Sequence, residues 1–90
     1  MNERVRFDEL LAPQQAGILC NDPQFQEFTA RRTGIPTGQC NASAAAEYLR
    51  QVCQIDSRRE LQNNNTARER FQTLRTEFDA WRGRIAAPRH

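Results

Sequence analysis

Arginine is the residue type whose spacing in this sequence most suggests a binding role. Three arginines recur every seven residues, at Arg68, Arg75 and Arg82, and together they are called the arginine ladder below. Because seven residues are nearly two helical turns, their guanidinium groups would rise along one side of a helix at intervals of about 10 Å. Arg58 and Arg59 precede them in the chain. A guanidinium group donates paired hydrogen bonds to phosphate, so these five arginines predict a row of phosphate contacts with nucleic acid.

The charge of the chain is concentrated in the same region. The formal net charge is only +2, and all thirteen basic residues are arginines. Residues 57–90 hold eight arginines against four acidic residues, whereas residues 1–56 hold five against seven. The C-terminal third is therefore suited to an anionic partner. The sequence pI of 8.7 argues against a dedicated DNA-binding domain, for which values above about 9 are usual.

The same arginines also have a structural interpretation. Long arginine stems often lie along the edge of a hydrophobic core, where their charged ends pair with acidic residues of the same chain. Arg75 has Asp79 four residues ahead, a favourable spacing on a helix, and Glu69 or the acidic residues of the second helix are further partners. A coding bias toward arginine would produce the same composition. The sequence leaves these interpretations open.

Apolar residues mark the helix that would carry the ladder. Between Thr66 and Ile85 they are spaced four, three, four, three and four positions apart: Ala67, Phe71, Leu74, Phe78, Trp81 and Ile85. This is the repeat of one helical stripe, which a strand alternating at two cannot produce. Large aromatic side chains at this spacing predict burial in a core. Stacking on nucleic-acid bases and a coiled-coil seam are weaker alternatives, the latter because fewer than three heptads are present.

The remaining pattern predicts an all-α, single-domain bundle over residues 1–90, with flexible ends at 1–7 and 86–90. Four main helices and one short turn of helix are expected, at 10–20, 22–33, 42–54 and 66–83, with the turn at 57–62. Asp22 and Pro23 mark the start of the second helix, and Gly34 marks its end. Asn41 or Ser43 would cap the third helix.

Two capping boxes define the later helix starts. They pair Ser57 with Glu60 and Thr66 with Glu69. In this motif the hydroxyl group accepts a backbone N–H three residues on, and the glutamate reaches back to the cap. The expected core consists of large apolar residues of the predicted helices: Phe25, Phe28, Leu49, Val52, Leu61, Phe71, Leu74, Phe78 and Trp81.

Catalysis, metal binding and a bound cofactor are not expected. The only histidine is His90, and the three cysteines form no Cys-x-x-Cys pair. Cys20 and Cys53 fall among apolar helical positions and predict small core residues, whereas Cys40 lies in a polar loop and is predicted to be exposed. No constellation of acid, base and nucleophile is present. The absence of any long apolar run or signal peptide predicts a cytoplasmic protein without a membrane partner.

Three stretches resemble small helical proteins encoded by bacteriophages and prophages. They are Cys20 to Phe25, Cys53 to Leu61, and the run of Asn65, Ala67, Phe71, Leu74, Phe78 and Trp81. The resemblance covers most of residues 16–82 and implies a setting among genes for phage DNA metabolism and recombination, but no activity and no functional residue.

Two functions therefore follow from the sequence. One is an accessory protein associated with nucleic acid through the five arginines. The other is a protein–protein interaction module that modulates a host or phage enzyme through apolar area left on the first two helices.

Overall fold

The computed structural model describes residues 10–83, and every regular element in this range is helical. The four main helices are α1 (Ala12–Cys20), α2 (Pro23–Thr33), α3 (Ala42–Cys53) and α4 (Asn65–Trp81). Short 3-10 helices lie at Thr37–Gln39 and at Arg58–Gln62, and the second of these is called the 3-10 turn below. The prediction of an all-α bundle is confirmed. The predicted flexible ends at 1–7 and 86–90, together with Ile85 of the apolar stripe, lie outside the described residues.

Local signals fix where α2 and α3 begin and end. The Asp22 carboxylate accepts the backbone N–H of Gln24 at 2.8 Å, and the Asn41 side chain accepts that of Ala44 at 3.0 Å. Each bond satisfies a donor that the first turn of a helix leaves without a partner. Gly34 ends α2 in the left-handed conformation, with φ at 79°. All three predicted boundaries are confirmed.

The predicted cap of α4, Thr66, is wrong, although the helix begins within one residue of the predicted position. Asn64 is the N-cap, and its side-chain oxygen accepts the backbone N–H of Ala67 at 3.0 Å. Asparagine is at least as good a cap as threonine, so Asn64 begins the helix before Thr66 can. The helix ends at Trp81, two residues before the predicted end. The capping box of Ser57 and Glu60 is confirmed at the start of the 3-10 turn.

The core is built from all four main helices and the 3-10 turn, and its aromatic part lies between α2 and α4. The Phe78 ring packs edge-on against Phe25 at 5.2 Å and tilted against Phe28 at 5.4 Å, which are favourable aromatic geometries. The predicted core residues that are confirmed as fully buried are Phe25, Phe28, Leu49, Leu61, Phe71, Leu74 and Phe78. Because the rings of Phe71 and Phe78 are buried, they are not available to stack on nucleic-acid bases.

Burial differs from the prediction at three positions. Trp81 is 39% exposed because it is the last residue of α4, although its ring contacts Phe28 and Phe78. Val52 is only partly buried at the margin of the core. The predicted exposure of Cys40 is wrong, since the residue is only 5% exposed. It directly precedes the Asn41 cap, a position from which an apolar side chain commonly folds back onto the helix.

All three cysteines are buried and have free thiols. Burial raises the pKa of the Cys53 thiol to about 11, while the charge of Arg70 opposes the shift. Burial also raises the pKa values of Cys20 and Cys40 above the ordinary value of 9.0. The predicted core positions of Cys20 and Cys53 are confirmed.

The raised thiol pKa values make stability depend on pH in the alkaline range. Above pH 9 the unfolded chain releases thiol protons that the native protein still holds, so the stability present below pH 9 is lost as the pH rises toward 11. We expect the free energy of unfolding, measured with urea at a series of pH values, to fall across this interval. Cys53→Ala should make the fall shallower. A free energy of unfolding that stays constant between pH 9 and pH 11 would contradict the burial of the thiols.

Candidate nucleic-acid interface

The first residue of the arginine ladder serves the fold by capping the 3-10 turn. Arg68 donates from Nη1 to the carbonyl oxygens of Leu61 and Gln62, at 3.1 and 2.7 Å, and from Nη2 to the side chain of Asn65. Carbonyl groups at the end of a helix lack partners within it. The Arg68 guanidinium supplies those partners and ties the turn to α4.

The second residue of the ladder reaches α1. Arg75 donates from Nη1 to the side-chain oxygen of Gln15 at 3.0 Å. Gln15 is buried, and its own amide nitrogen donates to the Leu10 carbonyl at 2.8 Å. Arg75 therefore supplies a hydrogen bond that a buried amide oxygen needs.

The third residue of the ladder has the densest surroundings. The Arg82 guanidinium lies 3.0 Å from Asp79 and 3.7 Å from Asp22, and its side chain is only 18% exposed. Its Nη1 also donates to the side chain of Gln24 at 3.3 Å, and the group lies over the Phe78 ring at 4.4 Å from the centroid. A phosphate approaching Arg82 would have to compete with two carboxylates.

The seven-residue spacing of the ladder matches the spacing of its partners. Gln15 and Asp22, which bind Arg75 and Arg82, are themselves seven residues apart. From Arg75 to Arg82 along α4, the partner residue therefore advances in the same direction, from Gln15 in α1 to Asp22 in the turn after it. Internal contacts therefore accompany the seven-residue interval between Arg75 and Arg82, whereas the partners of Arg68 lie in the 3-10 turn and at the start of α4.

Arg58 and Arg59 lie together at the start of the 3-10 turn, beside a cleft of about 680 Å³ between α1 and α3. The turn packs on α1. Its start is fixed by the Glu60 carboxylate, which accepts the backbone N–H groups of Asp56 at 2.9 Å and Ser57 at 3.1 Å. The capping box therefore determines where the two arginine side chains leave the backbone.

Arg58 lies across α1 beside a glycine. Its guanidinium carbon is 3.9 Å from the place that a Cβ atom on Gly17 would occupy. Burial raises the pKa of the Cys20 thiol, and a hydrogen bond from Arg58 and the charges of Arg58 and Arg50 oppose that shift. Arg50 of α3 lines the same cleft. Two cations from different elements therefore act on one thiol.

Arg58 and Arg59 differ from most of the other arginines in having no ion pair within residues 10–83. Arg58 is half-buried and Arg59 is exposed. Other arginines of the described chain form ion pairs, among them Arg31 with Glu27, Arg32 with Glu77, Arg50 with Glu47, and Arg82 with Asp22 and Asp79.

The structure thus separates the five predicted arginines into two groups. Arg58 and Arg59 share the rim of one cleft, whereas the ladder residues extend along α4 and contact other elements of the chain. Sequence reasoning missed Arg50, because it lies in the half of the chain with an acidic balance and comes near Arg58 only through packing. The signal available in the sequence was that Arg50 follows Ser43, which also lines the cleft, by seven residues.

Comparisons with protein-family models, with curated proteins and with solved structures gave no match. No group of three or more His, Cys, Asp or Glu side chains within residues 10–83 is placed to hold a metal ion. No helix in that part of the chain combines the length and the apolar character needed to cross a bilayer. Function is therefore inferred from the placement of charged and apolar side chains.

Proposed function

We propose that this protein is a non-enzymatic accessory protein that associates with nucleic acid and contacts phosphate groups through Arg58 and Arg59. The observation that supports this is their position at the rim of a cleft, with no acidic partner within residues 10–83. A phosphate can bind these guanidinium groups without displacing a carboxylate. The charge balance of residues 57–90 and the resemblance to phage-encoded proteins agree with the proposal.

The ladder residues Arg68, Arg75 and Arg82 contribute less in this proposal. A guanidinium group has five N–H donors, so an internal hydrogen bond does not prevent a further bond to phosphate. None of the three ladder residues lines the cleft that Arg58 and Arg59 share, however. We expect phosphate contact through Arg68 and Arg75 to be weak, and contact through Arg82 to be weakest because two carboxylates already lie beside it.

Binding to labelled single- and double-stranded DNA over a series of salt concentrations tests the proposal. Phosphate contacts predict that the logarithm of the association constant falls linearly with the logarithm of the salt concentration, by about 0.7 per contact for single strands and 0.9 for duplex. We expect Arg59→Gln to weaken binding more than Arg31→Gln, which removes the same charge from an exposed site on α2. If the protein does not bind at low salt, where charges are least screened, the proposal is overturned.

A second function, a protein–protein interaction module, is supported by the surface of α1. Ile18 of α1 is 50% exposed, and Leu11, the residue that caps the start of the helix, is 54% exposed. Ile18 also lines a shallow apolar groove with Leu10 and Gly17. Exposed apolar area of this kind suits a partner protein, which we propose to be a host or phage enzyme.

Ile18→Glu distinguishes the two functions. The change places a charge on the exposed α1 face without altering the core, so we expect folding and DNA binding to be unchanged. If the protein acts through this face, the variant should lose a partner that the wild-type protein captures from host lysate. Capture of the same partner by wild type and variant would exclude this face.

A further inference from the structure

The cleft between α1, α3 and the 3-10 turn contains more than the two proposed phosphate contacts. Its volume of about 680 Å³ falls within the range of roughly 300–1,000 Å³ that is typical of small-ligand sites. Three guanidinium groups line it, from Arg50, Arg58 and Arg59, and Asp56 is the lining carboxylate among the described residues. These side chains give the lining a formal charge of +2, equal to that of the whole chain.

Two of the three cations are held in place by the protein itself. Arg58 lies against α1 at Gly17, where there is no side chain to displace it. Arg50 is oriented by Glu47 at 3.0 Å, one turn earlier on α3. A ligand that binds here does not have to order these side chains, which reduces the entropy cost of binding.

The beginning of α3, which carries uncharged donors, also lines the cleft. Ala42 and Ser43 form the first two positions of the helix and contribute to the lining. The N–H groups of a first turn have no acceptor within the helix. The Asn41 cap is bonded to the N–H of Ala44, so it does not use the donors of Ala42 and Ser43. The Ser43 hydroxyl is a further donor.

We propose that the cleft binds a phosphate monoester, carried either by a free nucleotide or by the end of a nucleic-acid strand. A monoester has a charge of about −1.5 to −2 near neutral pH and three acceptor oxygens. It therefore matches both the charge of the lining and the three arginines. A phosphodiester within a strand has a single negative charge and two free oxygens, which are enough for contact with Arg58 and Arg59 but match all three arginines less well. The inference rests on the proposed function and names the ligand of the same site.

Calorimetric titration with three probes tests the inference and separates the two sources. The probes are inorganic phosphate, a nucleoside 5′-monophosphate, and one short DNA strand prepared with a 5′-phosphate or with a 5′-hydroxyl. We expect the monophosphate to bind, and the phosphorylated strand to bind roughly tenfold more tightly than the hydroxyl strand. Arg50→Gln should weaken monoester binding by about tenfold. Arg31→Gln should have no effect, because Arg31 is likewise paired with a glutamate but does not line the cleft.

Ser43→Asp is a variant in which loss of binding cannot be attributed to unfolding. A carboxylate in the first turn stabilises a helix through its dipole, so urea denaturation should show equal or greater stability. The same carboxylate repels a phosphate in the cleft, and monoester binding should be lost. Retained binding in this variant would overturn the placement of the ligand.

The outcomes separate the two proposals. If both strands bind equally and Arg50→Gln changes nothing, the monoester site is overturned while nucleic-acid association stands. If the monophosphate binds but neither strand binds at low salt, the site stands and nucleic-acid association is overturned. If neither the monophosphate nor any strand binds, both are overturned.

Discussion

Replacing Phe78 with alanine should lower the free energy of unfolding by about 3–5 kcal/mol. Phe78 is 1% exposed, and its ring contacts Phe25 and Phe28 at centroid distances of 5.2 and 5.4 Å. Truncation removes the favourable burial of the ring and leaves a cavity that close-packed neighbours fill only in part. Because small domains have total stabilities of about 5–15 kcal/mol, the variant should be close to unfolding.

Chemical denaturation followed by circular dichroism measures this loss, and Trp81→Ala is the matched control. Trp81 belongs to the same apolar stripe and packs at the same end of α4, but it is 39% exposed. We expect its truncation to cost less than half as much. A loss below about 1 kcal/mol for Phe78→Ala would mean that Phe78 is not in the core.

Replacing Arg82 with glutamine should lower the free energy of unfolding by about 1.5–3 kcal/mol, the range for hydrogen bonds to charged groups. The three charged side chains of the cluster are 18% (Arg82), 27% (Asp79) and 28% (Asp22) exposed, so solvent screens their interactions only in part. Removing the cation leaves two carboxylates near each other without a counter-charge. It also removes the group that lies over the Phe78 ring.

A double-mutant cycle isolates the contribution of the ion pair between Arg82 and Asp22. Asp22→Asn is suited to this cycle because asparagine caps α2 as well as aspartate does but carries no charge. We expect the two changes to be coupled by at least about 0.5 kcal/mol. Arg31→Gln is the control, since its exposed pair with Glu27 should contribute less than about 0.5 kcal/mol. Equal losses for Arg82→Gln and Arg31→Gln would contradict the structural role of the ladder.

Several helix ends could be predicted from the sequence because their causes are local. The Asp22 cap, the Gly34 terminator and the Ser57 capping box each depend on bonds within a few residues of the chain. The apolar stripe likewise showed which face of α4 is buried. It did not show how far the neighbouring helices extend, and for this reason the exposure of Trp81 at the end of α4 was missed.

The role of the arginine ladder could not be decided from the sequence, because its partners are distant in the chain. Arg75 bonds to Gln15, 60 residues away, and Arg82 to Gln24, 58 residues away. A helical period of seven is produced equally by a row of ligand contacts and by a row of internal partners. The cleft depends on tertiary packing in the same way, since Arg50 and Arg58 approach Cys20 from different elements.

Two double variants of equal charge test whether the arginines divide into the proposed phosphate-binding pair and a structural group. For Arg58→Gln/Arg59→Gln, we expect the salt slope of binding to decrease by about 1.4 for single-stranded DNA and 1.8 for duplex, with little change in stability. For Arg68→Gln/Arg75→Gln, we expect a nearly unchanged slope and a reduced free energy of unfolding. An unchanged slope in the first variant together with a reduced slope in the second would contradict this division of the arginines.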